Sequence, residues 1–117
     1  MEIKRLHVGK RMSEAAIHNG TVYLAGQVAA DTAAHDIQDQ TRAVLGQIDT
    51  LLIQAGSDKT CILMCQIFLS DLNNFDAMNQ VWEEWVASGC TPPRATIQAQ
   101  LAKPEWLIEI VITAAQI

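Results

Sequence analysis

The sequence contains no apolar run near the roughly 18 residues that a bilayer crossing requires. Its opening, MEIKRLHVGKR, holds no hydrophobic stretch resembling a signal peptide. A soluble, unexported, cytoplasmic protein with no membrane partner is the expectation. Among Cys61, Cys65, Cys90, His7, His18 and His35 there is no CxxC, HxH or HExxH spacing. That absence argues against a structural zinc site and a zinc-protease mechanism, and three thiols do not make a disulfide framework. In an extended strand Cys61 and Cys65 would share a face about 13 Å apart, beyond bridging reach. Buried small hydrophobes in a reducing compartment are expected instead. P-loop, GxGxxG and GxSxG patterns are also missing, so phosphate, dinucleotide and serine-hydrolase chemistry has no support. Basic residues are scarce, 8 against 13 acidic ones, giving a net charge of −5. Such a chain repels phosphate backbones, and nucleic acid is not an expected partner.

What is present is apolar. Half the residues are hydrophobic and 18% are charged, which excludes a disordered chain. With no repeat, low-complexity segment or linker, residues 1–117 read as a single domain. Ile3–Val8 is a candidate short strand. Ala15–His18 and Thr21–Ala25 flank Asn19-Gly20, a two-residue hairpin signal in which both positions tolerate positive φ. Gly26 ends the second strand, and a loop through Ala34 is predicted. Asp36–Ala55 reads as a helix, capped by Asp36, with Val44, Leu45, Ile48, Leu51, Leu52 and Ala55 forming one stripe. Gly56 stands at the C-terminal cap. Cys61–Leu69 is apolar on both alternating faces, as in a central strand. A second helix runs from Asn73 or Asn74 to about Ala87 with Phe75, Met78, Trp82, Trp85 and Val86 as its stripe. After Pro92-Pro93, Arg94–Leu101 alternates, and Leu107–Ala115 is a last strand.

The order β-β-β-α-β-α-β-β implies an α+β domain with a mixed sheet and two helices on one face. Strands flanking each helix are expected to be parallel or close neighbours. Two helices cover one face of a sheet, yet two strands are apolar on both faces. The second face would leave an oversized apolar patch unless another copy of the chain covers it.

Charges inside apolar strands are the informative residues, because burying them unpaired is costly. Arg94 opens a strand after two rigidifying prolines, and Glu109 sits within LIEIVIT. A hairpin through Lys103-Pro104 would bring the two together at one end of the sheet. Two readings then stand open: a structural ion pair across adjacent strands, or a guanidinium fork for a carboxylate beside a glutamate that holds or activates water. Asn79 is expected to face solvent, Trp82 and Trp85 to be core or interface, and Gly26-Gln27 to be a strand terminus.

Three stretches resemble the Rid (reactive intermediate deaminase, YjgF-type) family. AIHNGTVYLAGQVA is similar to that family's paired N-terminal strands ending in a Gly-Gln step. QTRAVLGQIDTLLIQAGSDKTCILMCQIFLSDLNNFDAMNQVWEEW resembles its first helix, central strand and second helix. PPRATIQAQLAKPEWLIEIVITAA resembles its Pro-x-Arg strand and its closing strand with a glutamate. The resemblance implies a chorismate-mutase-like fold and a homotrimer with clefts between subunits. It implies hydrolysis of small enamines or imines, such as 2-aminoacrylate, to 2-keto acids and ammonia, with no metal or organic cofactor. Arg94 would grip the substrate carboxylate, Glu109 would position or activate water, and Met12, Thr96 and Gln27 would line the substrate site. Met12 stands where many members carry tyrosine, Ala25 where serine is common, and Thr96 where cysteine is frequent. A binding or regulatory trimer that holds a 2-keto acid without turnover is the alternative. Ribonuclease activity, reported for some relatives, is disfavoured by the acidic charge.

Overall fold

In the computed structural model, which describes residues 2–30 and 34–117, seven strands form one sheet. They are β1 (Lys4–Leu6), β2 (Ala15–His18), β3 (Thr21–Leu24), β4 (Gln27–Val28), β5 (Ile62–Leu69), β6 (Arg94–Gln98) and β7 (Ile108–Ala115). Two helices, α1 (Ile37–Gln54) and α2 (Phe75–Trp85), lie between them in sequence. The main path across the sheet is β1-β2-β3-β7-β5-β6, with β4 also paired to β7. The β2–β3 turn is the Asn-Gly hairpin expected, with φ of 52° at Asn19 and 74° at Gly20. Asp36 caps α1 by accepting from the Asp39 amide at 2.8 Å. A short 3₁₀ turn at Leu72–Asn74 precedes α2, and its capping oxygen comes from Asp71, while Asn74 makes no side-chain cap bond.

Two expectations need correction. The loop predicted after Gly26 contains β4, two residues long, which pairs with Ile110 and Glu109 of β7; residues 31–33 of that loop lie outside the described residues. The strands flanking α1 are parallel and close, as a crossover demands: β4 and β5 both run antiparallel to β7 and hence parallel to each other. Most consequential, β6 and β7 form no hairpin: β5 separates them, parallel to β6 and antiparallel to β7. The physical reason is in the side chains. β7 is apolar on both faces and takes a central place, whereas β6, with Arg94, Thr96 and Gln98 polar among its five residues, takes the edge. The 99–107 connection passes over the end of β5, where the Ala99 amide donates to Leu69 O and the Ser70 amide donates to Leu107 O.

The core fills the space between α1, α2 and one face of the sheet. Val44, Ile48 and Leu52 of α1 meet Val22, Cys65, Ile67, Ile110 and Ala114 from the strands. Alternation then assigns the other face: Tyr23, Met64, Phe68, Glu109, Val111 and Thr113 point away from the helices. That face is uncovered, with Tyr23 52%, Met64 44% and Ile97 47% exposed. β6 is inverted relative to a normal edge strand. Its register with β5 turns Arg94 and Thr96 toward the helix layer and turns Ala95 and Ile97 outward. An edge strand that presents its apolar residues to the open face fits a sheet whose second face is also to be buried.

Candidate functional site

Arg94 is the first residue of β6, delivered by Pro92-Pro93; the Pro93 carbonyl accepts from the Cys65 amide at 3.0 Å, which pins the approach. Its guanidinium carbon lies 5.2 Å from the centre of the Trp82 ring and 5.9 Å from that of Phe75. Residues 75 and 82 are seven apart on α2, so the helix presents both on one face and the β5-α2-β6 crossover lays the next strand beneath them. Each such contact is worth about 0.5–2 kcal/mol. The rings hold the head group without neutralising it. Among the described residues the ion pair within 4 Å is Arg42–Asp39, and none of their carboxylates pairs with Arg94. Next on the same face is Thr96, whose Oγ1 is buried without a hydrogen-bond partner. A cation without an anion and a hydroxyl without a partner thus share the outer strand. Below them, burial pushes the Cys65 thiol up to about 12, with the charge of Arg94 pulling the other way.

Glu109 projects from the opposite face. It is half-buried, in register with Phe68 of β5 and Val28 of β4. Its carboxylate lies directly on Gly26, so close that a Cβ there would collide with its oxygen, carboxyl carbon and Cγ. The Gly-Gln step is therefore more than a strand terminus: only a residue lacking a side chain leaves room for this carboxylate. Arg94 is aligned with Cys65 and Ile112, and Glu109 with Phe68. Three residues and two strand spacings place their Cα atoms about 14 Å apart. With the side chains also on opposite faces, one chain forms neither the ion pair nor the two-residue site that a hairpin would have made.

The remaining candidates fall elsewhere. Gln27 is buried on the helix face and its amide is consumed internally, donating to Glu14 Oε2 at 2.8 Å and Ala25 O at 3.1 Å and accepting from Gln47 Nε2 at 3.1 Å. Met12 is exposed on the β1–β2 connection, at the sheet edge opposite β6. Asn79, expected in solvent, is half-buried on α2. Five surface depressions of about 250–520 Å³ have neither Arg94 nor Glu109 in their walls. The aromatic slot around Arg94 was missed because Phe75 and Trp82 also satisfy the helical stripe of a core. The role of Gly26 was missed because it depends on a strand 83 residues away in sequence.

The chain matches the family model described as Endoribonuclease L-PSP over residues 2–116. It is 48% identical over 113 residues to a RutC family protein of Haemophilus ducreyi, covering 97% of this chain and 96% of that one. It is 43% identical over 115 residues to the RutC family protein YoaB of Escherichia coli, covering 98% and 99%. A YjgF-family protein of Neisseria meningitidis superposes with a TM-score of 0.96 at 43% identity, over 100% of this chain and 97% of that one. A Rid-family protein of unknown function from Yersinia pestis gives 0.85 at 31% identity, over 92% and 90%.

Proposed function

The chain belongs to the Rid (YjgF) family, and from that premise we propose that it hydrolyses small carboxylate-bearing enamines and imines to 2-keto acids and ammonia. The working unit is a homotrimer in which Arg94 of one subunit and Glu109 of a neighbour flank a shared groove. The carrying observation is that Arg94 and Glu109 each lack an ion-pair partner among the described residues and stand on opposite faces. A second copy laid on the open face can unite them. The exposed Tyr23, Met64 and Ile97 supply an apolar surface for that contact, and outward-turned Ala95 and Ile97 extend it to the β6 edge.

In that groove the planar fork of Arg94 receives both oxygens of the substrate carboxylate, and the Phe75 and Trp82 rings limit its swing. Thr96 Oγ1, otherwise unpaired, is free to hydrogen-bond the same end. An enamine tautomerises to the imine; water then attacks the imine carbon, and the tetrahedral aminoalcohol expels ammonia. Glu109 takes a proton from the attacking water and returns one to the nitrogen, so the reaction needs orientation and one proton shuttle. Met12, at the sheet edge opposite β6, would reach the groove only from a neighbouring subunit and brings no hydrogen bond, which leaves the carboxylate anchor as the chief determinant of substrate choice.

The test generates an imino acid in situ with an amino-acid oxidase and traps it with semicarbazide. Wild type lowers adduct yield and Arg94→Ala does not; equal suppression by both rejects the proposal. Ligand binding that depends on Arg94 with no suppression points to the alternative, a trimer that holds a 2-keto acid without turning it over.

A further inference from the structure

We propose that Gln27, with Gln47 behind it, is a positioning residue for Glu109. The seat of the Glu109 carboxylate is bare backbone at Gly26, so whatever fixes residues 25–28 decides where the carboxylate points. The pairing that holds this segment to β7 is short: β4 has two residues, Gln27 opposite Ile110 and Val28 opposite Glu109. The rest of the fixation comes from the other side of the sheet. Gln27 is 5% exposed, and its Nε2 donates both to Ala25 O at 3.1 Å and to Glu14 Oε2 at 2.8 Å. Its Oε1 accepts from Gln47 Nε2 at 3.1 Å, and the same Gln47 nitrogen donates to Val28 O at 3.1 Å.

The two carbonyls that bracket Gly26-Gln27, those of Ala25 and Val28, are each held by one of these amides. Both donors of the Gln27 amide are used, one fixes the segment to Glu14, and Gln47 fixes it to the middle of α1. A buried amide in a strand of apolar neighbours is a poor choice for packing alone, since an amide that loses a partner is left unsatisfied where a leucine would ask for none. What the amides add is direction. They hold the backbone carbonyls on either side of the Glu109 seat, and Gln47 ties that segment to α1.

This inference rests on the reading of Glu109 as the residue that handles water, but its structural half can be checked without substrate. The variant is Gln47→Leu, at a half-buried helix position that tolerates the change, with Gln47→Lys as the rescue because it keeps a donor at the same place. Protein labelled at glutamate carboxyl carbons is followed by NMR, the Glu109 signal being assigned by its loss in Glu109→Gln. The signal is expected to move or broaden in Gln47→Leu and to return in Gln47→Lys. In the semicarbazide assay kcat should fall about tenfold while KM, set by Arg94 on another strand, stays within about twofold. A Glu109 signal unmoved by Gln47→Leu overturns the inference, as does a loss confined to KM. If the signal moves and neither protein turns over imine, the clamp stands and the deaminase reading falls.

Discussion

Mixing two inactive variants tests the shared groove more directly than either alone. Arg94→Ala and Glu109→Gln chains are co-expressed in equal amounts with different tags and purified through both. In a closed three-fold ring each groove takes its arginine from one subunit and its glutamate from the next. In a three-membered ring that carries both tags, one groove of the three has both groups intact. The homogeneous variants set the floor. A bidentate, charge-assisted contact is worth about 3 kcal/mol, so Arg94→Ala alone should retain on the order of 1% of kcat/KM. The doubly tagged preparation should therefore recover about a third of wild-type suppression of the semicarbazide adduct. Should the two residues act within one chain, no mixture restores a site. Activity no higher than the mean of the two parents would refute the argument from opposite sheet faces.

Four further outcomes follow from particular residues. Gly26→Ala drives a methyl into the Glu109 carboxylate; kcat should fall at least about tenfold with the circular dichroism spectrum unchanged. Met64→Asp places a charge on the open face beside Gln66 and Thr113, and light scattering should find monomers where the proposed wild-type assembly gives trimers. Cys90 is exposed, whereas Cys65 is fully buried with its thiol raised to about 12; a thiol reagent at pH 8 should label Cys90 first and Cys65 only after unfolding. The Asp58 carboxyl is held below its ordinary 3.8 by the Thr60 hydroxyl and amide. Its contribution is present at neutral pH and lost as pH falls through that lowered value, so the Tm gap between wild type and Asp58→Ala should close in acid.

The elements that sequence resolved are those written in local code. The α1 stripe from Val44 to Leu52, the Asp36 cap and the Asn19-Gly20 turn each depend on neighbours within one or two turns of chain. The need for cover over a second face was legible from CILMCQIFL and LIEIVIT, because side-chain alternation carries that information in the strand itself. Pairing order was not. A link at Lys103-Pro104 suggests a hairpin until it is known that β5 already accepts β6 on one side through α2 and β7 on the other. A second hidden feature is the register shift between Ile62 and Met64, which lets Ile62 and Cys65 both face the core although an odd spacing separates them. For the same reason Arg94 and Glu109 were recognisable as a pair by type, while their separation in one chain was invisible without the strand order. Gln27, which the resemblance placed at the substrate site, has its amide committed to Glu14, Ala25 and Gln47.

The slot around Arg94 gives the molecule its own optical reporter. Trp82 is nearly sealed from water, 5.2 Å from the guanidinium and 5.5 Å from the centre of the Trp85 ring. An indole excited in ultraviolet light responds to the electric field across it, and the cation beside it dominates that field. An anion docking on Arg94 cancels much of the charge within a few ångström, so the emission spectrum should shift as the groove fills. Titration with a colourless 2-keto acid then needs no label, dye or coupled enzyme, and silence on substituting Trp82 with phenylalanine identifies which indole is speaking.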